Sequence, residues 1–126
     1  MSPARPTESE LEILQVLWRR GPSTVREVLD DLADERERVY TTVLKLLQIM
    51  HEKGLVARDE GGRTHVYEAT VNRESTERAL LADLADRAFD GSAARLVMRA
   101  LSARRASDAE LEEVRRLLDE LGEGRA

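Results

Sequence analysis

Apolar residues recur at helical spacing early in the chain. Leu11, Leu14, Leu17 and Trp18 fall on one side of a 3.6-residue wheel, and Ile13 and Val16 widen the stripe. Thr7 and Glu10 stand just before it as a capping-box pair, in which each side chain can accept from the other residue's backbone amide. Gly21-Pro22 ends this first helix. A second follows at once, with Thr24 and Glu27 repeating the cap and Val25, Val28, Leu29 and Leu32 forming the stripe. Asp34-Glu35-Arg36-Glu37-Arg38 reads as a solvated connection. A third helix is predicted from Tyr40 to Lys53. Val43, Leu46, Leu47 and Met50 face one way, Thr41, Lys45, Gln48 and Glu52 the other, and Gly54 closes it.

The period then changes. Leu55–Asp59 and Arg63–Tyr67 are β-type runs around Glu60-Gly61-Gly62, which predicts a hairpin with a tight Gly-Gly turn. Beyond Asn72 the pattern is helical again. One helix runs to about Phe89, Asp90-Gly91-Ser92 breaks it, and a second spans Ala93 to Ser102. A last one is opened by the capping box of Ser107 and Glu110 and closed at Gly122. The predicted fold is mainly α with a small β-hairpin: a winged helix-turn-helix over residues 1–71, followed by a helical dimerisation segment over residues 72–126. Three helices followed by a hairpin is an ordering that says more than any single motif.

Composition narrows the chemistry. A chain of 126 residues is one ordinary domain, or a small one with a helical appendage. Aromatics make up only 3%, which argues against a deep aromatic-lined pocket. With no cysteine there is no thiol nucleophile or disulfide, and His51 and His65 alone are too few for a structural zinc site. Nucleophile elbow, phosphate-cradling glycine loop and HExxH pattern are all missing from the sequence. The expectation is therefore a protein that is not an enzyme, with no cofactor and no metal. No apolar run reaches the ~18 residues that would span a bilayer. The start lacks a signal-like apolar stretch, so the expected location is cytoplasmic, without membrane insertion.

The net charge of −5 and pI of about 5.2 run against nucleic-acid binding. The distribution softens that objection. Residues 7–35 carry three arginines against eight carboxylates, whereas residues 36–73 carry seven lysines and arginines against five. Docking responds to the local field more than to the total.

Three constellations can carry function. On the third helix, Thr41, Thr42, Lys45 and Gln48 face outward, with Arg38 and Tyr40 at its start. A helix fits the major groove: hydroxyls and the phenol suit phosphates, lysine suits guanine or phosphate, and glutamine suits adenine. In isolation, an ordinary amphipathic helix with a solvated face would look the same. In the hairpin, Arg63 and His65 can reach a phosphate backbone or minor groove. Asp59 and Glu60 beside the tip would repel phosphate, which favours Arg63 over Arg58. The C-terminal helices carry Leu80, Leu84, Leu96, Leu101, Leu111, Val114, Leu117, Leu118 and Leu121, more apolar surface than a small winged helix can cover. A two-fold homodimer is the commonest solution, and folding back onto the N-terminal domain is the alternative. Two functions follow: a dimeric repressor of a double-stranded DNA operator, or a winged-helix protein-interaction module that binds no DNA. Retention on DNA at low salt separates them.

Particular segments now resemble the penicillinase repressor family of winged-helix transcriptional regulators. They are Glu10 to Trp18, Tyr40-Thr41-Thr42-Val43-Leu44, His51-Glu52-Lys53-Gly54-Leu55-Val56, Arg63-Thr64-His65-Val66-Tyr67, and the last helix from Ser107 to Leu121. The resemblance covers roughly Thr7 to Leu121. It implies a repressor that dimerises through its C-terminal helices on a palindromic operator. It also implies contacts from Thr41, Thr42, Lys45 and Gln48, with Arg63 from the wing. In the antibiotic-responsive branch a membrane sensor with a metalloprotease domain leads to repressor cleavage at an Asn-Phe pair. The matching place here reads Leu96-Val97-Met98-Arg99-Ala100, so the candidate cleavage position is Arg99–Ala100, a departure from that pair. The copper-responsive branch uses C-terminal cysteines, which this chain lacks.

Overall fold

The computed structural model describes residues 5–32 and 38–123. It forms two compact units, Met1–Leu81 and Ala82–Ala126. The first unit opens with α1 (Glu8–Arg20), β1 (Ser23–Thr24) and α2 (Val25–Asp31). It continues through α3 (Tyr40–Lys53), β2 (Val56–Asp59) and β3 (Val66–Ala69) into α4 (Arg73–Ala88), which runs on into the second unit. That unit adds α5 (Ala93–Ala103) and α6 (Asp108–Glu123). The charged connection from Asp34 to Glu37 lies outside the described residues, and Arg38 within them.

Local chemistry sets the helix boundaries. The Thr7 hydroxyl accepts from the Glu10 amide at 3.2 Å, and the Glu10 carboxylate from the Thr7 amide at 2.8 Å. Thr24 and Glu27 repeat this at 3.2 and 2.9 Å, so both predicted capping boxes form. A third opens α6 through Ser107 and Glu110. Each satisfies two amides that the helix itself cannot. Asn72 caps the start of α4 through its side-chain oxygen, which accepts from the Ser75 amide at 2.7 Å. The break between α4 and α5 falls at Asp90 and Gly91, both with positive φ. Two closing boundaries differ: α5 runs one residue further, to Ala103, and α6 continues through Gly122 to Glu123.

Gly54 ends α3 in the left-handed conformation, φ +82° and ψ 14°, which costs a residue with a Cβ. A Cβ built there meets nothing within 4 Å, so the penalty is in the backbone alone. Gly54→Ala is expected to destabilise the fold by about 1 kcal/mol, read from denaturant unfolding. An unchanged midpoint would show that this turn has another conformation open to it.

The core of the first unit is made where the apolar stripes meet. Ile13, Leu14 and Leu17 come from α1, Val25 and Val28 from α2, and Val43, Leu47 and Met50 from α3. Leu55, Val56 and Tyr67 close it from the sheet side. Burial of each such side chain is worth roughly 1.5–3 kcal/mol, so this cluster, rather than surface ion pairs, holds the helices together. Leu46, expected to face inward, is only half-buried, as are Leu44 and Trp18. Trp18 sits at the edge because its indole NH needs a partner; it donates to the Val71 carbonyl at 2.8 Å. Arg73 lies over its ring, 5.5 Å from the centroid.

The sheet corrects two sequence expectations. It has three antiparallel strands in the order β1-β3-β2, not a lone hairpin, because Ser23 pairs with Tyr67 and Thr24 with Val66. The returning strand is Val66–Ala69, not Arg63–Tyr67, with Val56 opposite Ala69 and Asp59 opposite Val66. Full burial of Tyr67 fixes that register, since a slip of one residue would turn it to solvent. Residues 60–65 are left as the connection, which is longer than the expected Gly-Gly turn. It starts with the Asp59 carboxylate accepting from the Gly61 amide at 2.9 Å. Helices packed against a small sheet of this order form a winged helix-turn-helix.

Candidate nucleic-acid interface

The site is built on α3. Burial of Val43, Leu47 and Met50 fixes the helix's rotation and turns Tyr40, Thr41, Thr42, Lys45 and Gln48 to solvent. Thr41, Thr42 and Lys45 line a shallow open groove with the edges of Leu46 and Ile49. The half-buried position of Leu46 thus gives the polar face an apolar border. α3 starts at Val39 with no side-chain cap, whereas Thr7 and Thr24 cap α1 and α2. The amides of Thr42 and Val43 bond back to the Val39 carbonyl instead, at 3.1 and 3.2 Å.

The other expected contacts fall into different settings. Arg63 is exposed in the 60–65 connection, with no carboxylate partner among the described residues. His65 is half-buried, its Nε2 3.6 Å from the Glu60 carboxylate. Arg58 approaches the same carboxylate at 3.5 Å. Glu60 therefore lies beside two of the wing's three basic side chains and leaves Arg63 as its outward charge. Arg38 is tied back into the fold: its guanidinium donates to the Glu12 carboxylate on α1, and its side chain is only 10% exposed.

Ion pairing sorts the cations of this unit. Arg20 binds both Glu27 and Asp31, and the guanidinium's affinity for its proton rises accordingly, led by the hydrogen bond to Glu27. Lys53 binds Glu10 at 2.6 Å. Burial pushes the Glu10 carboxyl up, but the Lys53 hydrogen bond and charge, with the Thr7 amide, outweigh it and hold the carboxyl below its usual range. Among the described residues, Arg26, Lys45 and Arg63 are left on α2, α3 and the wing without a carboxylate. The sequence reading missed Arg26. Its guanidinium lies over the Tyr40 ring, 5.3 Å from the centroid. The available signal was its place two residues after the Thr24 cap, which turns it away from the Val25–Val28 stripe.

In the second unit, Leu84, Leu101, Leu117, Leu118 and Leu121 are exposed, the three α6 leucines by 53–60%. Leu96, Leu111 and Val114 are half-buried there, and Leu80 is half-buried at the end of the first unit. Arg99 and Ala100 are exposed within α5. No described helix is long and apolar enough to cross a membrane.

Comparison with known proteins bears on the family and the fold. A family model described as penicillinase repressor matches residues 6–120. The chain is 32% identical over 116 residues to the transcriptional regulator BlaI of Mycobacterium tuberculosis, covering 91% of this chain and 83% of that protein. It is 22% identical over 114 residues to a penicillinase repressor of Bacillus licheniformis, covering 90% and 89%. Among solved structures, it is similar to the monomeric form of Bacillus licheniformis BlaI in complex with the blaP half-operator. There the TM-score is 0.50 and the identity 22%, over 58% of this chain and 89% of that one. It is also similar to the YusO protein of Bacillus subtilis, with a TM-score of 0.55 and 18% identity over 94% and 75%. At these identities the structural likenesses speak to the fold.

Proposed function

The chain belongs to the penicillinase repressor family, and on that premise we propose that it is a cytoplasmic, DNA-binding transcriptional repressor that holds a palindromic operator as a homodimer. The observation that carries the reading is the exposed polar face of α3, on which Lys45 stands without a carboxylate partner among the described residues. In this reading α3 enters the major groove. Lys45 and Gln48 address base edges, Thr41, Thr42 and Tyr40 hydrogen-bond phosphates, and Arg63 follows the backbone from the wing. Arg38 and His65 play lesser parts, each already engaged by a carboxylate. The apolar faces of the C-terminal helices join two protomers, whose recognition helices meet half-sites about one helical turn apart.

The acidic chain can do this because its carboxylates neutralise mainly the cations that do not face DNA. Lys45→Ala is expected to weaken operator binding while leaving the dimer intact. If Lys45 lies on a phosphate, the slope of log affinity against log salt falls by about 0.9 per protomer. Fluorescence titration over a salt series measures both. Unchanged affinity would remove this face from the interface, and no retention on any DNA at low salt would favour the protein-interaction module.

In this reading release is by proteolysis, with a membrane sensor protease in the same pathway and Arg99–Ala100 as the cleavage position in place of the Asn-Phe pair of the antibiotic-responsive branch. Both residues lie inside α5, so cleavage there requires that helix to open locally.

A further inference from the structure

We propose that Arg26, held over the ring of Tyr40, is a binding site for a backbone phosphate of the DNA duplex, at the flank of the groove that α3 enters. The inference rests on the DNA-binding reading above and extends it to a second helix.

Arg26 is exposed on α2 and has no carboxylate partner among the described residues, although α2 itself carries Glu27, Asp30 and Asp31. The next residue shows the contrast: Glu27 is taken by Arg20 and by the Thr24 amide. In place of an acid, Arg26 has a ring, 5.3 Å from guanidinium carbon to centroid. That ring belongs to the first residue of α3, five residues before Lys45, and both side chains are exposed.

This arrangement suits a phosphodiester. A guanidinium stacked on an aromatic face keeps its N–H donors in its own plane, free to bind two oxygens side by side. The stack also limits the side chain's rotamers before any ligand arrives, so less freedom is lost on binding. Place in the fold selects phosphate over base. In a helix-turn-helix the first helix of the pair crosses the backbone and the second lies in the groove; α2 and α3 occupy those positions. The phosphate contact carries no sequence information, only affinity and register.

The test compares the full-length protein with Arg26→Gln and Arg26→Lys on two duplexes, the one it selects and an unrelated one of equal length, between about 50 and 200 mM salt. Arg26→Gln is expected to weaken binding to both duplexes by the same factor, and to lower the salt slope by about 0.9 per protomer. Arg26→Lys keeps the slope. In a Tyr40→Leu background the factor lost on Arg26→Gln shrinks, because the ring no longer positions the guanidinium. Wild-type affinity and slope for Arg26→Gln, while Lys45→Ala still weakens binding, would overturn this site alone. A loss confined to the selected duplex would assign Arg26 to base reading and overturn the phosphate assignment. A wild-type protein that binds neither duplex at low salt contradicts the DNA-binding reading, and this site with it.

Discussion

Leu117→Asp is expected to convert the protein to a monomer and to weaken operator binding by roughly 10²–10⁴-fold, the gain that linking two sites ordinarily gives. Leu117, Leu118 and Leu121 cluster on α6 with more than half of each side chain exposed in the single chain. Leucines three and four apart on one helix form a stripe that a second protomer can cover. An aspartate at an exposed position does little to the protomer's own fold, while a charge buried without a partner in an interface is strongly unfavourable. Sedimentation at a concentration where the wild type is dimeric reads the first effect, and titration of a full operator the second. A variant that remains dimeric would place Leu117 outside the interface.

The largest stability effect is expected at the ion pair joining α1 to α3. Glu10 is buried, 2% exposed, and Lys53 reaches it from a side chain that is 26% exposed. Removing the lysine strands a buried carboxylate, so Lys53→Met is expected to destabilise by about 2 kcal/mol, below the range for a fully buried pair because the Thr7 amide still donates to Glu10. The loss depends on pH. In the wild type the folded carboxyl titrates below its unfolded value. Its stabilisation is therefore complete above the unfolded value and is lost as pH falls through the folded one. Lys53→Met lacks the share of that stabilisation the lysine supplies, so the gap between variant and wild type closes as the wild type loses it on acidification. Denaturant unfolding at fixed protein concentration should show a wide gap at neutral pH that narrows below about pH 4. A gap that stays constant would mean the Glu10 charge has little part in it.

Much of the fold is legible in the sequence because it is written locally. Capping boxes at Thr7, Thr24 and Ser107 need only residues three apart, and α3 is predicted with both of its ends because Gly54 marks its close. What the sequence hides is set by pairing across the chain. Two-residue β1 exists only because Ser23 meets Tyr67, a contact with no local signature. Arg63, Thr64 and His65 read as strand by residue type, yet the burial of Tyr67 opposite Arg58 moves the strand on to Val66 and leaves them in the connection. The same division holds at the candidate interface. Outward positions on α3 follow from periodicity, and the structure turns Thr41, Thr42, Lys45 and Gln48 to solvent. Which cations are free does not follow from periodicity. Arg38 is held by Glu12, 26 residues away, and Arg26 stands over Tyr40 from another helix. Such pairings decide where an acidic chain can present positive charge.

The most direct test is selection of bound duplexes from a random DNA library by the purified protein at a stated salt concentration. The account predicts an enriched palindrome whose half-sites lie about one helical turn apart. A folded, dimeric protein that enriches no sequence would contradict it.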